Sequence, residues 1–325
     1  MCKAAASLAA FFVLSLLPVS SSATSTDITL STGTGLLVAI MEIPQPAPGP
    51  VPVVLIIPGS GPTDMNGNDP QGASTNTYRM LADALALKGI ASVRYDKRGV
   101  GRSRDALQGP PTVEMFVNDV VAWVHALRND PRFSSVVLAG ISEGSQIALL
   151  AAAATHVDGV VSIAGAGRPA GDMLLAQIRA QGAPEAHLLA PARAAIAALR
   201  AGHSPQNLPP ELQPLFPPEL DTYWTQLLNI DPVAAARAAK APLAIVQGEA
   251  DVTVSVQDAK MLARARPDAS LSLLPHVTHV LKDAATDTPA ASLATYDDPT
   301  LPIDAGVVHA VVNFVQGLHP TPSST

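Results

Sequence analysis

Short apolar segments recur along this chain, and stretches of helical periodicity separate them. Runs of this length with little polar interruption are typical of strands buried on both faces of a sheet. The intervening stretches Thr75–Leu87 and Thr112–Arg128 place apolar residues at helical spacing. This alternation predicts the α/β class, with a mostly parallel central sheet flanked by helices. The predicted strands are Asp27–Ser31, Leu36–Ile43, Val51–Ile57, Ile90–Tyr95, Ser135–Ala139, Gly159–Ala164, Leu243–Gln247 and Ser270–Leu274.

One long interval, at about residues 168–240, breaks the alternation. It is rich in Ala, Leu and Pro and predicts helices near Asp172–Gln181, Pro184–Arg200 and Pro210–Leu228. We expect a helical insertion within a single domain that spans residues 24–325, rather than an independent domain. We interpret the insertion as a lid that shapes a pocket, and an ordinary decoration of the domain is the alternative.

The first 23 residues have the pattern of a secretory signal peptide. Lys3 supplies the positive charge, Ala4–Pro18 is an apolar run, and Ser21-Ser22-Ala23 offers small residues for cleavage. A retained anchor is the alternative, but the run is short for a spanning helix. Cleavage would remove Cys2, the chain's 1 cysteine, and with it thiol catalysis and disulfides. We expect an exported protein, periplasmic or secreted, without stable membrane insertion after cleavage.

The charge of the chain argues against several kinds of partner. The formal net charge is −7, and the basic residues form no cluster, which makes nucleic acid or an anionic membrane a poor partner. No group of His and Glu has the spacing of metal ligands, so we expect neither a metal nor another cofactor. The loop Asp64–Asp69 resembles a calcium loop only superficially, because Asp69 replaces the required Gly and Thr75 replaces the bidentate Glu.

The segment Gly140-Ile141-Ser142-Glu143-Gly144 carries the strongest signal for chemistry. It follows a predicted strand and precedes a helical run, which is the context that a G-x-S-x-G motif requires. We expect glycine to be required at positions 140 and 144, as in Gly140 and Gly144, because larger side chains would collide with the neighbouring strand and helix. Ser142 would then project at a helix N-terminus, where N–H groups favour a developing negative charge. Ser142 is the predicted nucleophile, and a plain helix cap is the alternative.

A serine nucleophile needs a base, and the base needs a carboxylate that orients it. His279 lies in the loop after the last predicted strand, and His276 is the alternative because it is closer to that strand. Asp251 follows the strand Leu243–Gln247, and Glu249 is the alternative. We expect His309 to be structural and Asp258 to lie on a solvated helix face.

An oxyanion hole requires two N–H donors. The first is predicted to be the backbone N–H of Glu143, next to the nucleophile. The second should come from the loop after Val51–Ile57, where Ser60 is the best candidate and Gly61 the alternative. Gly59 and Gly61 are candidates for a loop along which the substrate lies, because glycine lets the backbone approach a ligand closely. A turn without a ligand is the alternative.

Five motifs together resemble the α/β-hydrolase superfamily, and most closely its esterase and serine-aminopeptidase-like branch. The resemblance spans about Leu36–Leu318 without most of the insertion, and it implies a hydrolase in which Ser142, Asp251 and His279 have the three roles given above. Pro58 stands where many relatives carry a His, which should not affect a backbone donor. The motifs are PGSGPTD at Pro58–Asp64, YDKRGVGRS at Tyr95–Ser103, GISEGS at Gly140–Ser145, QGEAD at Gln247–Asp251 and HVLKD at His279–Asp283.

These residues predict hydrolysis of a carboxylic ester through an acyl-enzyme, with a small-molecule ester or acyl compound as substrate. An exopeptidase or amidase is the alternative, and Glu211, Glu219 and Asp221 of the insertion could then hold a substrate amino group. A non-catalytic binding module built on the same fold is the third hypothesis. The segment Tyr95–Ser103 is interpreted as scaffold, since its charged residues can hold a tight loop by local hydrogen bonds, and a direct role in substrate binding is the alternative.

Overall fold

The computed structural model describes residues 22–70, 72–180, 182–286 and 288–318. The predicted signal peptide therefore lies outside the described residues, except for Ser22 and Ala23. In chain order, the strands are β1 Ser22–Ser31, β2 Leu36–Gln45, β3 Val51–Ile57, β4 Asn68–Asp69, β5 Ala73–Ser74, β6 Ala91–Tyr95, β7 Phe133–Ile141, β8 Gly159–Ile163, β9 Leu243–Gly248 and β10 Ser270–Leu274.

The central sheet has 8 strands in the order β1-β2-β6-β3-β7-β8-β9-β10. β2 is antiparallel to both of its neighbours, and the other neighbouring pairs are parallel. The mostly parallel sheet predicted from the sequence is therefore confirmed. Ile57 is in register with Gly140, and Ile163 is in register with both Ile141 and Val246. The loops that follow β3, β7 and β9 consequently open at one edge of the sheet.

Helices cover both faces of this sheet. They are α1 Thr77–Ala86, α2 Val113–Arg128, α3 Glu143–Ala154, α4 Ala170–Ala180, α5 Leu189–Arg200, α6 Asp221–Leu228, α7 Pro232–Ala238, α8 Val256–Ala265, α9 Pro289–Ala294 and α10 Ala305–Gly317. Alternate residues of β3 enter two different cores, as the two-residue period of a strand requires. Leu55 packs with Trp123 of α2 on one face, and Ile56 packs with Leu81 of α1 and Val311 of α10 on the other.

The insertion has a small apolar core of its own, which includes Ile196 and Leu199 of α5 and Phe216. Its last predicted helix is too long, because regular α-helix begins only at Asp221. Proline lacks the N–H that an α-helix needs and crowds the preceding residue, so a proline-rich stretch does not continue as a helix. The prolines concerned are Pro209, Pro210, Pro214, Pro217 and Pro218.

Asp258 of α8 is also placed differently from the sequence-based expectation. It is fully buried rather than solvated, it accepts a hydrogen bond from Ser255 N–H, and it pairs with Arg168 at 2.7 Å. The Ser-x-x-Asp spacing of a capping box accounts for this position at the start of the helix. The pair ties the first residue of the insertion to α8. In the part of the chain described here, no helix combines the length and the apolarity needed to cross a bilayer.

Candidate active site

Ser142 lies in a sharp turn between β7 and α3. Its backbone has φ 55° and ψ −121°, which is a conformation that non-glycine residues rarely adopt. The turn leaves no room for larger neighbours: a Cβ on Gly140 would lie 2.2 Å from Gly144 O, and a Cβ on Gly144 would lie 2.3 Å from Ile57 O. Ser142 N–H donates to Ile163 O at 2.9 Å, which fixes the turn on β8. The hydroxyl is thus presented at the start of α3.

His279 and Asp251 reach Ser142 from the loops after β10 and β9. His279 Nε2 lies 3.1 Å from Ser142 Oγ, and His279 Nδ1 lies 2.8 Å from Asp251 Oδ2. A carboxylate can only accept a hydrogen bond, so Nδ1 carries the proton and Nε2 is left to accept from the serine hydroxyl. In this geometry His279 can act as a base for the Ser142 hydroxyl, and the Asp251 carboxylate orients His279.

Contacts other than the one with His279 also hold the carboxylate of Asp251 in place. Its side chain is fully buried, and Oδ1 accepts backbone hydrogen bonds from Thr253 at 2.7 Å and Val254 at 2.8 Å. Gln247 Nε2 donates to Oδ2 at 3.1 Å. These donors replace water around a buried charge, which would otherwise be costly. They also leave Oδ2 directed at His279.

The loop that carries His279 is closed on itself. Thr278 N–H donates to Lys282 O at 2.9 Å, and Ala284 N–H donates to His276 O at 2.8 Å. The side chain of Lys282 is fully buried, and its ammonium group donates to Asp298 O. A loop with these cross-links has few alternative conformations. The imidazole position is consequently set by the protein itself.

The pKa of His279 reflects two opposing effects. Burial disfavours the charged imidazolium and lowers the pKa, but the charge of Asp251 and its hydrogen bond raise it by more. The net pKa of His279 therefore lies above its ordinary value. An imidazolium formed by taking the proton of Ser142 would be stabilised by the same carboxylate.

The alternative residues lie elsewhere. His276 and Glu249 line a neighbouring cavity that contains neither Ser142 nor His279. His276 also has a positive φ of 62°, which belongs to the turn that follows β10. His309 is exposed on α10. None of these residues takes part in the hydrogen bonds that join Ser142, His279 and Asp251 in the described structure.

The loop after β3 lies against the serine turn. A Cβ on Gly59 would lie 3.3 Å from Ser142 Cβ, so the backbone approaches the nucleophile closely there. Gly59 N–H donates to Tyr78 Oη at 3.2 Å, and Lys97 Nζ donates to Gly59 O at 2.5 Å. Gly61 has φ +70°, which favours glycine at this position. Within the described chain, the backbone N–H groups of Ser60 and Glu143 have no acceptor in the protein.

Ser142 and His279 open into a cavity of about 180 Å³. Its walls come from the loop after β3, from Thr75, Tyr78 and Val280, and from Tyr296 near α9. The polar loop Asp64–Asp69 contributes Gly67 and Asp69, so it lies beside the site. No residue of the insertion lines this cavity in the described structure.

A larger groove of about 1040 Å³ lies at the opposite edge of the sheet, where β8, β9 and β10 begin. Its lining includes His156, Lys240 and Phe314 but none of the residues that join Ser142. Ligands of open α/β sheets bind at the carboxyl ends of the strands. The smaller cavity is therefore the candidate active site.

Sequence reasoning missed the aromatic side chains around the site. Tyr78 contacts Gly59, Tyr296 lines the cavity, and Tyr223 of α6 donates to Glu143 Oε2 at 2.5 Å. Burial raises the pKa of Tyr78 to about 12, so it remains a neutral phenol. Tyrosine is rare in this chain, with 4 in total, and three of these lie here. None of the three follows a strand directly, so the strand pattern could not locate them. The scarcity of tyrosine in the chain was the only sequence signal that pointed to these residues.

Part of the chain is similar to a known protein family. Residues 71–213 match the model of a family described as serine aminopeptidase, S33. The matched segment contains Ser142 and most of the insertion but neither Asp251 nor His279. Comparison with curated protein sequences gave no match.

Solved structures share the fold at low identity. The esterase Est1E from Butyrivibrio proteoclasticus is 16% identical, with a TM-score of 0.56 over 89% of this chain and 97% of that chain. A serine hydrolase described as lacking a lid, XC6422 from Xanthomonas campestris, is 20% identical, with a TM-score of 0.51 over 92% of this chain and 97% of that chain. The acylaminoacyl peptidase of Pyrococcus horikoshii is 15% identical, with a TM-score of 0.56 over 93% of this chain and 43% of that chain.

Proposed function

We propose that this chain, which shares the α/β-hydrolase fold and matches a serine-aminopeptidase family model over residues 71–213, is a serine hydrolase that cleaves carboxylic esters through an acyl-enzyme on Ser142. The proposal rests on one observation, the continuous hydrogen-bonded connection from Ser142 Oγ through His279 to the buried Asp251. A fold alone would not carry it, because one fold hosts many functions.

The reaction follows from these contacts. Ser142 Oγ attacks the carbonyl carbon of the ester while its proton moves to His279 Nε2. The carbonyl oxygen becomes an oxyanion, which the backbone N–H groups of Ser60 and Glu143 stabilise. The loss of one such donor costs about 10²- to 10³-fold in turnover. His279 then gives its proton to the departing alkoxide, which leaves as the alcohol.

Water completes the cycle by the same route. His279 takes a proton from a water molecule, the resulting hydroxide attacks the acyl carbon, and the carboxylic acid leaves as Ser142 regains its proton. Asp251 keeps its charge throughout and stabilises the imidazolium formed in each half. No metal or other cofactor takes part in the proposed steps.

Covalent labelling tests the nucleophile. A fluorophosphonate probe forms a phosphorus–oxygen bond with an activated serine and releases fluoride, so we expect one labelled site at Ser142 and none in Ser142→Ala. Ser134→Ala is the matched control, because Ser134 is an exposed serine near the other end of the same strand. Labelling of Ser142→Ala as strong as that of the unchanged protein would refute Ser142 as the nucleophile, and absence of labelling in the unchanged protein would favour the non-catalytic binding module.

An exopeptidase or amidase is the second candidate, and one observation favours it. Asp69 lies in the wall of the cavity, where its carboxylate could attract a substrate amino group. The acidic residues expected for this role, Glu211, Glu219 and Asp221, do not line the cavity. Turnover of p-nitrophenyl esters should be compared with turnover of aminoacyl anilides, in the unchanged protein and in Asp69→Asn. Anilide turnover that exceeds ester turnover and disappears in Asp69→Asn would favour the peptidase.

Two further parts of the proposal concern residues outside the cavity. We propose that the insertion restricts access to the site from the side of Glu143, where Tyr223 contacts Glu143.

We also propose that the protein is exported after removal of residues 1–23. The mass of the secreted or periplasmic protein, measured in the expressing cell, tests the second part: a mass that includes the first 23 residues would contradict it.

A further inference from the structure

Lys97 is a buried lysine in the loop after β6, with 8% of its surface exposed. Burying an ammonium group is costly, and buried cations normally pair with a carboxylate. Its neighbours follow that rule: Arg94 pairs with Glu42 at 2.6 Å, and Arg98 pairs with Asp119 at 2.5 Å. Lys97 instead donates to a backbone oxygen, Gly59 O, at 2.5 Å. In the described chain it forms no ion pair within 4.0 Å, and this exception calls for a reason.

Gly59 O belongs to the same peptide group as the N–H of Ser60. A peptide group is planar and normally trans, so the direction of its C=O fixes the opposite direction of its N–H. A hydrogen bond to the oxygen also polarises the group and strengthens the N–H as a donor, by about 10–30% for each bond in a chain. A cationic donor has the stronger effect, because charge-assisted hydrogen bonds are about twice as strong as neutral ones.

The surroundings restrict this peptide further. Gly59 N–H donates to Tyr78 Oη at 3.2 Å, so both the N–H and the C=O of Gly59 are held by hydrogen bonds. The Lys97 ammonium lies 5.8 Å from the centre of the Phe116 ring. Burial lowers the pKa of Lys97, and the charges of Glu143 and Asp69 act in the opposite direction. Glu143 is also the residue whose N–H is the other oxyanion donor, and its side chain accepts from Tyr223.

We propose that Lys97 is a positioning residue for the oxyanion hole: its ammonium group orients and polarises the Gly59–Ser60 peptide, so that the Ser60 N–H stabilises the tetrahedral oxyanion. This inference rests on the ester hydrolysis proposed above. Lys97 acts through the peptide and does not touch the substrate. Its contribution should therefore appear in the transition state and in tetrahedral adducts, and only weakly in substrate binding.

Kinetics of Lys97→Met, Lys97→Gln and Lys97→Arg test the proposal. In Lys97→Met we expect kcat for a p-nitrophenyl ester to fall about 10- to 100-fold, which is less than the loss of a whole donor, while KM changes less than threefold. Lys97→Arg restores most of kcat because it keeps a cationic donor, and Lys97→Gln lies between because it keeps a neutral donor. Affinity for phenylboronic acid, which forms a tetrahedral adduct with the serine, should fall in parallel with kcat.

Arg98→Lys is the matched control for a stability effect in the same loop. It weakens the contact with Asp119 and should lower the melting temperature without changing kcat more than twofold. A Lys97→Met protein that keeps kcat within twofold of the unchanged protein would overturn the proposal. So would equal losses in Lys97→Met and Lys97→Arg that merely follow their melting temperatures. In either case, an unchanged protein that is labelled at Ser142 and turns over the ester leaves the proposed function standing.

Nuclear magnetic resonance supplies a readout that does not depend on activity. The amide proton of Ser60 should move upfield in Lys97→Met and remain nearly unchanged in Lys97→Arg, because polarisation of the shared peptide is lost only in the first. The measurement applies to the folded protein without substrate. An unchanged Ser60 amide shift in Lys97→Met would overturn the inference even if turnover fell. If Lys97→Met does not fold, Lys97→Gln provides the same comparison with a smaller shift.

Discussion

The carboxyl edge of the sheet and the insertion differ in how their side chains are fixed. At the sheet edge, each functional residue follows a strand and is held by backbone hydrogen bonds, as with Ser142 on Ile163 and Asp251 on Thr253. The insertion packs on a small core of its own and reaches the site through the hydrogen bond from Tyr223 to Glu143. We therefore expect the proposed chemistry and the proposed control of access to be separable: changes at the edge should affect turnover, and changes in the insertion should affect stability and substrate binding.

Replacement of the nucleophile should give the largest effect. In Ser142→Ala we expect ester turnover to fall about 10⁴- to 10⁶-fold, because the acyl-enzyme cannot form. The melting temperature should change little, since the hydroxyl is not part of the core. Steady-state kinetics and thermal denaturation on one preparation measure both. Turnover in Ser142→Ala within tenfold of that of the unchanged protein would contradict the proposal that catalysis takes place at this edge of the sheet.

Replacement of the orienting carboxylate should come next. In Asp251→Asn turnover should fall about 10³- to 10⁴-fold, because the imidazole loses its required tautomer and orientation. The acidic limb of the kcat/KM profile should also move to lower pH: His279 acts as a base only when neutral, and the charge and hydrogen bond that raise its pKa are gone. Glu249→Gln is the matched control and should leave that limb in place. An unshifted limb in Asp251→Asn would contradict the assignment.

A cavity in the insertion core tests the other region. Leu199 is fully buried in α5, and Leu199→Ala should lower the free energy of unfolding of the region by about 2–5 kcal/mol. The rate at which a fluorophosphonate labels Ser142 should remain within about threefold below the melting temperature, because this core does not touch the hydrogen bonds that join Ser142, His279 and Asp251. Denaturant titration and timed labelling measure the two quantities. A labelling rate that falls as far as in Asp251→Asn would show that the two regions are not separable.

The contact between the regions should give the smallest effect. Tyr223→Phe removes the hydrogen bond to Glu143 and keeps the ring against Phe116, for a loss of about 1 kcal/mol. If the insertion controls access, KM should rise more than kcat falls, and the rise should be larger for bulky acyl groups than for acetate. A panel of p-nitrophenyl esters measures this. A fall in kcat that is the same for every ester would instead indicate that Tyr223 supports the chemical step and not access to the site.

The sequence predicted the inner strands well because they are short apolar runs bounded by turn residues, as in Val51–Ile57, which the structure reproduces residue for residue. The exposed edge strand β1 lacks this signal, and it begins at Ser22 rather than at the predicted Asp27. Ser142, Asp251 and His279 could be predicted to meet because parallel strands bring their carboxyl ends to one edge of the sheet. Tyr223 could not be located in the same way, since its contact with Glu143 depends on how a proline-rich insertion folds back across the domain. Lys97 was expected to hold its own loop by local hydrogen bonds, whereas its ammonium group donates to Gly59 O of another loop, a contact that depends on the spatial proximity of the two loops.

The closed loop after β10 has a consequence for how the protein responds to heat. Its backbone hydrogen bonds and the buried ammonium of Lys282 tie the imidazole to the body of the domain. A segment with such ties opens only when much of the structure around it opens. Warming should therefore abolish the proposed hydrolysis and unfold the domain at the same temperature, with no range in which an intact fold carries a displaced histidine.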